Sequence, residues 1–211
     1  MSGLMQLLEG ELGNELINGL SNETRVEKDK TAEVLSMALP LLMGAMKKNA
    51  RKSDMADGLM GAVGSDRHDG SILDDLGGLF QGGVNQEVLD DGKGILGHLF
   101  GGQQPEVENQ LSKRTGLDTG DIGKMLMTLA PIAMGLLGKQ SRQNNINSSG
   151  DLNTLLGSML GGQPSQNKDL ITSLLDADGD GSVLDDVSDI VLGSKSKKGG
   201  LSGLLDGLFG G

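Results

Sequence analysis

The stretch LSNETRVEKDKTAEVLSMALPLLMGAM, residues 20–46, lies over LSKRTGLDTGDIGKMLMTLAPIAMGLL, residues 111–137, without a gap. Leu20 falls on Leu111, Ser21 on Ser112, Thr24 on Thr115, Leu35 on Leu126, Pro40 on Pro131, Met43 on Met134 and Gly44 on Gly135. The same register runs backwards, setting Leu4 on Ile95, Leu8 on Leu99 and Leu16 on Val107. With a changed spacing, HDGSILDDLGGL (68–79) also matches GDGSVLDDVSDI (179–190). A chain that carries one pattern twice is expected to build one supersecondary unit twice. The expected organisation is a helical unit over 1–85, a second over 86–193, and a basic, Gly/Leu-rich tail over 194–211.

Within each unit the apolar spacing is helical. Leu4, Leu8, Leu12, Leu16 and Leu20 recur every four residues, and Val34, Leu35, Ala38, Leu41, Leu42 and Ala45 form a second face. In the second unit Val107 and Leu111, then Ile122, Met125, Leu126 and Leu129, repeat the pattern. No alternating strand pattern stands out, so the fold class is all-α. Pro40 and Pro131 are predicted to kink a helix or to separate two short ones. Glycine is abundant, with 36 residues. Because Gly weakens helix interiors by roughly 0.5–1 kcal/mol relative to Ala, the Gly-rich parts are expected as short helices, caps and connections. SRQNNINSSGDLN (141–153) reads as an exposed loop.

The side-chain inventory narrows the function classes. The net charge of −11 repels phosphate backbones, and a chain with no Trp or Tyr and three Phe has little on which to stack bases. Nucleic acid is therefore a poor partner. Without cysteine there is no disulfide framework and no thiolate chemistry. The start, MSGLMQLLEGELG, lacks the basic region of a secretory signal. Met125–Gly138 is shorter than the ~20 apolar residues that span a bilayer. The expected location is the cytoplasm.

One motif points to chemistry. DADGDGSVLDD (176–186) presents Asp176, Asp178 and Asp180 at the first, third and fifth places of a calcium loop, with Gly181 at the turn and the Ser182 carbonyl at the seventh. The twelfth place, where a bidentate Glu belongs, holds Val187, so Asp185 or Asp186 has to close the site. The competing reading is a helix start, with Ser182 as cap, Asp185 reaching back and Asp186 favoured by the helix dipole. The first copy, SDRHDGSILDD, keeps Asp69, Gly70, Ser71, Asp74 and Asp75 but has Ser65 and Arg67 where Asp176 and Asp178 stand. That copy is expected to cap a helix and hold no ion. The second is expected to bind calcium, because a divalent ion relieves the repulsion among its five aspartates.

Other candidates are weaker. Asp118 or Thr119 is predicted to cap a helix after a Gly turn, an arrangement shared with helix-turn-helix DNA readers. His98 and His68 are the only histidines, and neither has spacing to a Ser and an Asp that suggests a triad. Met37, Met43, Met125, Met127 and Met134 suit an adaptable binding face or plain core. KKNARK (47–52) follows the Pro40 pattern, and KSKKGG (195–200) precedes the apolar LSGLLDGLFGG, which can lie on a membrane surface or dock on another chain.

At GKGILGHLFGGQQPEVENQLSKRTGLDTGDIGKMLMTLAPIAMGLLGK (92–139) the chain resembles the bacterial family known as domain of unknown function 937, related to the YidB-like proteins. The residues that carry the resemblance are ILGHLFGG, the GLD turn at Gly116–Asp118 and LAPIAMGLLG, with LLDADGDGSVLDDV as a further shared feature. It implies an all-helical bacterial protein and brings no catalytic residues, cofactor or substrate. The expected function is a non-enzymatic helical interaction or scaffold protein with a protein partner or self-association, no small-molecule substrate, and a calcium-stabilised loop. Its alternatives are a calcium-responsive regulator exposing a Met-rich face and, more weakly, a DNA-binding module.

Overall fold

The structure, a computed structural model, describes residues 8–161 and 165–175. Its elements there are helical, and no strand occurs among the described residues. In chain order they are α1 (Glu11–Thr24), α2 (Lys28–Arg51), α3 (Ser53–Gly64), α4 (Ser71–Asp74), α5 (Leu76–Phe80), α6 (Gln86–Phe100), α7 (Gln104–Thr115), α8 (Thr119–Gln143), α9 (Ser149–Leu160) and α10 (Ser165–Leu175). Short 3-10 turns stand at Asp66–His68 and Gly101–Gln103. The helix ends follow the sequence alignment: α1 and α7 stop at the aligned threonines, and α2 and α8 open at the aligned Lys28 and Thr119.

The two long helices, α2 and α8, form the centre. Val34, Leu35, Ala38, Leu41, Leu42 and Ala45 of α2 are buried, as are Ile122, Met125, Leu126 and Leu129 of α8. Elements cross between the halves. Helices α9 and α10 lie on α2, whereas α3, the 66–68 turn and α4 lie on α8 beside α6. Each long helix is thus covered partly by the other half of the chain, and the buried side chains of both halves join one hydrophobic cluster.

The prolines do not divide the helices. Pro40 and Pro131 each stand inside one continuous helix. A helical proline lacks the N–H that the carbonyl four residues back would accept. For Pro40 that carbonyl is Ser36, and the Asn167 side-chain amide of α10 donates to it at 2.9 Å. For Pro131 it is Met127, and there the backbone of α6 closes in: a Cβ on Gly92 would stand 1.8 Å from the Met127 carbonyl oxygen. The freed carbonyls mark where a second helix approaches.

Glycine also departs from expectation. Gly19, Gly44, Gly92, Gly135 and Gly138 lie inside helices and are buried. A Cβ at Gly138 would meet the His68 carbonyl oxygen at 1.8 Å, so α8 can touch the 66–68 turn only with glycine there. Here the loss of helix propensity is offset by close packing. The polar stretch at 141–153 is likewise mostly helical: α8 runs to Gln143 and α9 starts at Ser149. Ser148 caps α9 by accepting from the Asp151 N–H at 3.2 Å, while its hydroxyl donates to the Asp151 carboxylate at 2.7 Å.

Helix α8 is long and apolar enough to cross a membrane by length and composition alone. Of its most apolar window, 78% is buried inside the protein, which makes it the core helix.

Candidate functional site

Asp176, Asp178, Asp180, Ser182, Asp185 and Asp186, together with the 194–211 tail, lie outside the described residues. Description stops at Leu175, directly before this stretch. The first copy is described, and Asp69, Asp74 and Asp75 each have a protein partner. The Asp69 carboxylate accepts from the Ser71 N–H at 2.8 Å, and hydrogen bonds from Ser71 hold its carboxyl below the ordinary value of 3.8. Asp75 caps α5 by accepting from the Gly78 N–H at 2.9 Å. Asp74 pairs with Lys139 at 2.6 Å, and Arg67 reaches Asp91 at 3.4 Å. Capping is the role of this copy, but Asp69 supplies the oxygen rather than Ser71, because Gly70 with φ 101 swings the chain so that Asp69 overhangs the helix start. Among the described residues no group of three or more His, Asp or Glu is placed to hold a metal.

The turn between α3 and α4 brings together residues that no local spacing connects. His68 is buried, with Nε2 3.0 Å from the Asp91 carboxylate of α6 and Nδ1 3.0 Å from the Ala62 carbonyl. The Ala62 carbonyl only accepts, so Nδ1 is the ring nitrogen that donates to it, while Nε2 faces the Asp91 carboxylate. Ser65 Oγ stands 3.3 Å from the same Nδ1, completing a Ser–His–Asp trio by residue type. It does not form an activated nucleophile. The serine hydroxyl donates to the Ala62 carbonyl at 2.7 Å, and the facing Nδ1 carries a proton and cannot act as base. Arg142 of α8 holds the turn by donating to the Gly64, Ser65 and His68 carbonyls. This trio is a structural clamp between α3, α6 and α8.

Beside the clamp, α3 and α6 part to form a groove of about 1140 Å³. Leu59 of α3 and Ile95 of α6 line it, Met134 of α8 lies beneath, and Leu175 stands at one end. Met55 is 45% exposed on its edge, a large apolar side chain left in water. The two ends differ in charge. Glu87, Asp90 and Asp91 crowd the N-terminal end of α6, where Arg67 is the counterion. Lys52 and Lys48 lie at the other end, where the Lys48 ammonium donates to the Leu175 carbonyl. His98, exposed at this end, turns Nδ1 onto the Gly94 carbonyl of its own helix at 2.8 Å.

The sequence signals for these residues differ. Asp91 carries none, since its partner lies 23 positions away. Met55 does carry one: it sits at the margin of the buried stripe Ala56, Leu59 and Val63. Of the methionines that suit either a binding face or plain core, Met37, Met43, Met125 and Met134 are buried. Asp118, in contrast, caps α8 as its position suggests, accepting from the Gly120 N–H at 2.7 Å.

The family model described as "Bacterial protein of unknown function (DUF937)" matches residues 6–140, well over half of the chain. No curated protein matches the chain, and no solved structure does.

Proposed function

The chain belongs to the DUF937 family of bacterial proteins, and from that premise we propose that it is a non-enzymatic helical interaction protein. It works in the cytoplasm and docks an apolar helical segment of a protein partner in the groove between α3 and α6. The groove carries this reading. At about 1140 Å³ it exceeds the roughly 300–1,000 Å³ usual for small-molecule sites, and it is flanked by helices as helix-accepting grooves are. Exposed Met55 on its edge is a side chain whose burial favours association. A photo-crosslinking residue placed at Met55 in the bacterium should give a discrete protein adduct that the same residue at exposed Glu15 does not. Identical adducts from both positions would contradict the reading.

The helical units are two copies of one module, a reading supported by the aligned ends of α1 with α7 and of α2 with α8. In the second copy the Asp176–Asp186 stretch takes calcium through Asp176, Asp178, Asp180, the Ser182 carbonyl and Asp185 or Asp186. Its support is the alternation of carboxylates and the glycine at the turn. With a dissociation constant of ~10 μM, 1 mM calcium adds about 2.7 kcal/mol of stability. Calorimetric titration with calcium should show saturable heat that Asp178→Ala with Asp180→Ala removes; equal flat traces would dispose of the site. The regulator alternative, a calcium-exposed Met-rich face, has less support because four of those five methionines are core residues. The DNA-reading alternative has less still: α8, the second helix of that pair, is buried along most of its length.

A further inference from the structure

Three glycines of the groove serve no contact inside the described fold. Gly58 of α3 and Gly94 and Gly97 of α6 line it, and a Cβ built on any of them meets nothing within 4 Å. Each weakens its helix by roughly 0.5–1 kcal/mol relative to Ala. Buried Gly92, one turn away, is spent on the approach of α8; these three leave bare backbone facing the groove, which admits a second helix at short range. The groove therefore combines an apolar floor, glycine walls, an acidic end at Glu87, Asp90 and Asp91, and Leu175 at its other end.

The sequence beyond Leu175 supplies a matching segment. Leu201, Leu204, Leu205, Leu208 and Phe209 recur at the spacing of one helical face. Lys195, Lys197 and Lys198 precede them, and with Asp206 as the only acid, residues 194–211 carry 3 − 1 = +2 in a chain of net −11. Between Leu175 and Lys195 stand residues 176–194, which is 19 positions. A chain of that length reaches at most about 65 Å when fully extended, enough to run the length of the groove. Helix α6, with 15 residues, is about 22 Å long. A tether long enough to bridge the two points makes docking intramolecular and raises the effective concentration of the tail at the groove.

We propose that the groove between α3 and α6 is the seat of the chain's own C-terminal segment. Leu201, Leu204, Leu205, Leu208 and Phe209 enter it as one apolar face, and Lys195, Lys197 and Lys198 meet Glu87, Asp90 and Asp91 at its acidic end. This rests on the groove being the docking surface and adds its regulation: a partner's helix must displace the tail, so docking is held in check by an internal competitor.

The test uses the full chain and an apolar dye whose fluorescence reports open hydrophobic surface. Wild type should bind dye weakly. Leu204→Asp with Leu208→Asp should raise the signal at least about fivefold, and adding Met55→Glu and Gly97→Leu should return it to the wild-type level. If wild type already binds dye in a manner that Met55→Glu and Gly97→Leu abolish, and the tail change adds nothing, the tail proposal falls while the groove reading stands. If no signal depends on the groove substitutions, both fall. The chain has no cysteine, so disulfide trapping gives a readout independent of the tail variants. Gly97→Cys with Ser202→Cys should close within one chain at least about tenfold faster than Glu15→Cys with Ser202→Cys. Equal rates, or disulfides chiefly between chains as a second copy would give, would overturn it. So would tail-dependent binding to phosphatidylglycerol vesicles that leaves the trapping rate unchanged at the slow level of the Glu15 pair.

Discussion

The turn from α1 into α2 and the turn from α7 into α8 use the same hydrogen bonds on different residues. Thr24 Oγ1 donates to the Leu20 carbonyl at 2.7 Å, and Thr115 Oγ1 to the Leu111 carbonyl at 2.8 Å. Ser21 Oγ donates to the Val26 carbonyl, and Ser112 Oγ to the Leu117 carbonyl, each at 2.6 Å. Both turns leave the first helix through a left-handed residue, Arg25 with φ 59 and Gly116 with φ 74. They differ in what is optimised. The second turn has glycine at the left-handed position and Asp118 capping α8; the first has Arg25 there, and Glu27 caps α2 without a side-chain bond. The Ser and Thr brackets fix the path of the chain, whereas Gly and Asp only lower its cost.

The helices after these turns differ in how they treat the proline. In α2 the carbonyl freed by Pro40 receives an amide; in α8 the carbonyl freed by Pro131 receives bare backbone. The sharpest way to break this pairing is Gly92→Ala, which drives a methyl into the Met127 carbonyl and should cost about 3 kcal/mol. Gly61→Ala, inside α3 but outside the groove and facing open space, should instead stabilise by up to about 1 kcal/mol. Urea melts of the two variants check both signs.

On the other side, Asn167→Ala leaves the Ser36 carbonyl without its amide and should cost about 1–2 kcal/mol. In a Pro40→Ala background the restored backbone N–H answers that carbonyl, so the same change should cost less. A double-mutant cycle that shows simple additivity would remove the proposed link between Pro40 and Asn167.

The turns can be sharpened by exchange. Arg25→Gly should stabilise by about 0.5–1 kcal/mol and Gly116→Ala should destabilise by a similar amount, since only glycine occupies the left-handed region without strain. Chemical denaturation reads both, and equal small effects of one sign would contradict the assignment.

The smallest effect is electrostatic. The Asp69 carboxyl is held below 3.8 by hydrogen bonds that favour its charged form. A carboxylate with a depressed folded value adds stability above its unfolded value and loses it as pH falls through the folded one. The melting-temperature gap between wild type and Asp69→Asn should therefore be present at about pH 6 and shrink below about pH 3.

What the sequence discloses follows from the range of each interaction. Apolar periodicity and caps act over a few residues, so Val34 to Ala45, Ile122 to Leu129 and the Asp118 cap are readable in place. Clashes and pairings across helices are not. Nothing beside Gly92 announces the Met127 carbonyl, and nothing beside His68 announces Asp91. Pro40 and Pro131 do not separate helices, and Gly92 and Gly138 stand inside them, for one reason: tertiary partners answer the groups those residues leave open. The groove lies further still from sequence reading, because it is made by the divergence of α3 and α6 from a shared seat on α8. Only Met55, out of step with its own stripe, hints at it.

The halves of this chain cover each other's long helices, so neither should keep its structure when the other opens. Calorimetric unfolding of the intact chain tests this most directly. One heat-absorption peak, with calorimetric and van't Hoff enthalpies in agreement and moved as a whole by Gly92→Ala, is the expected result. Two separate peaks, only one of which Gly92→Ala displaces, would contradict it.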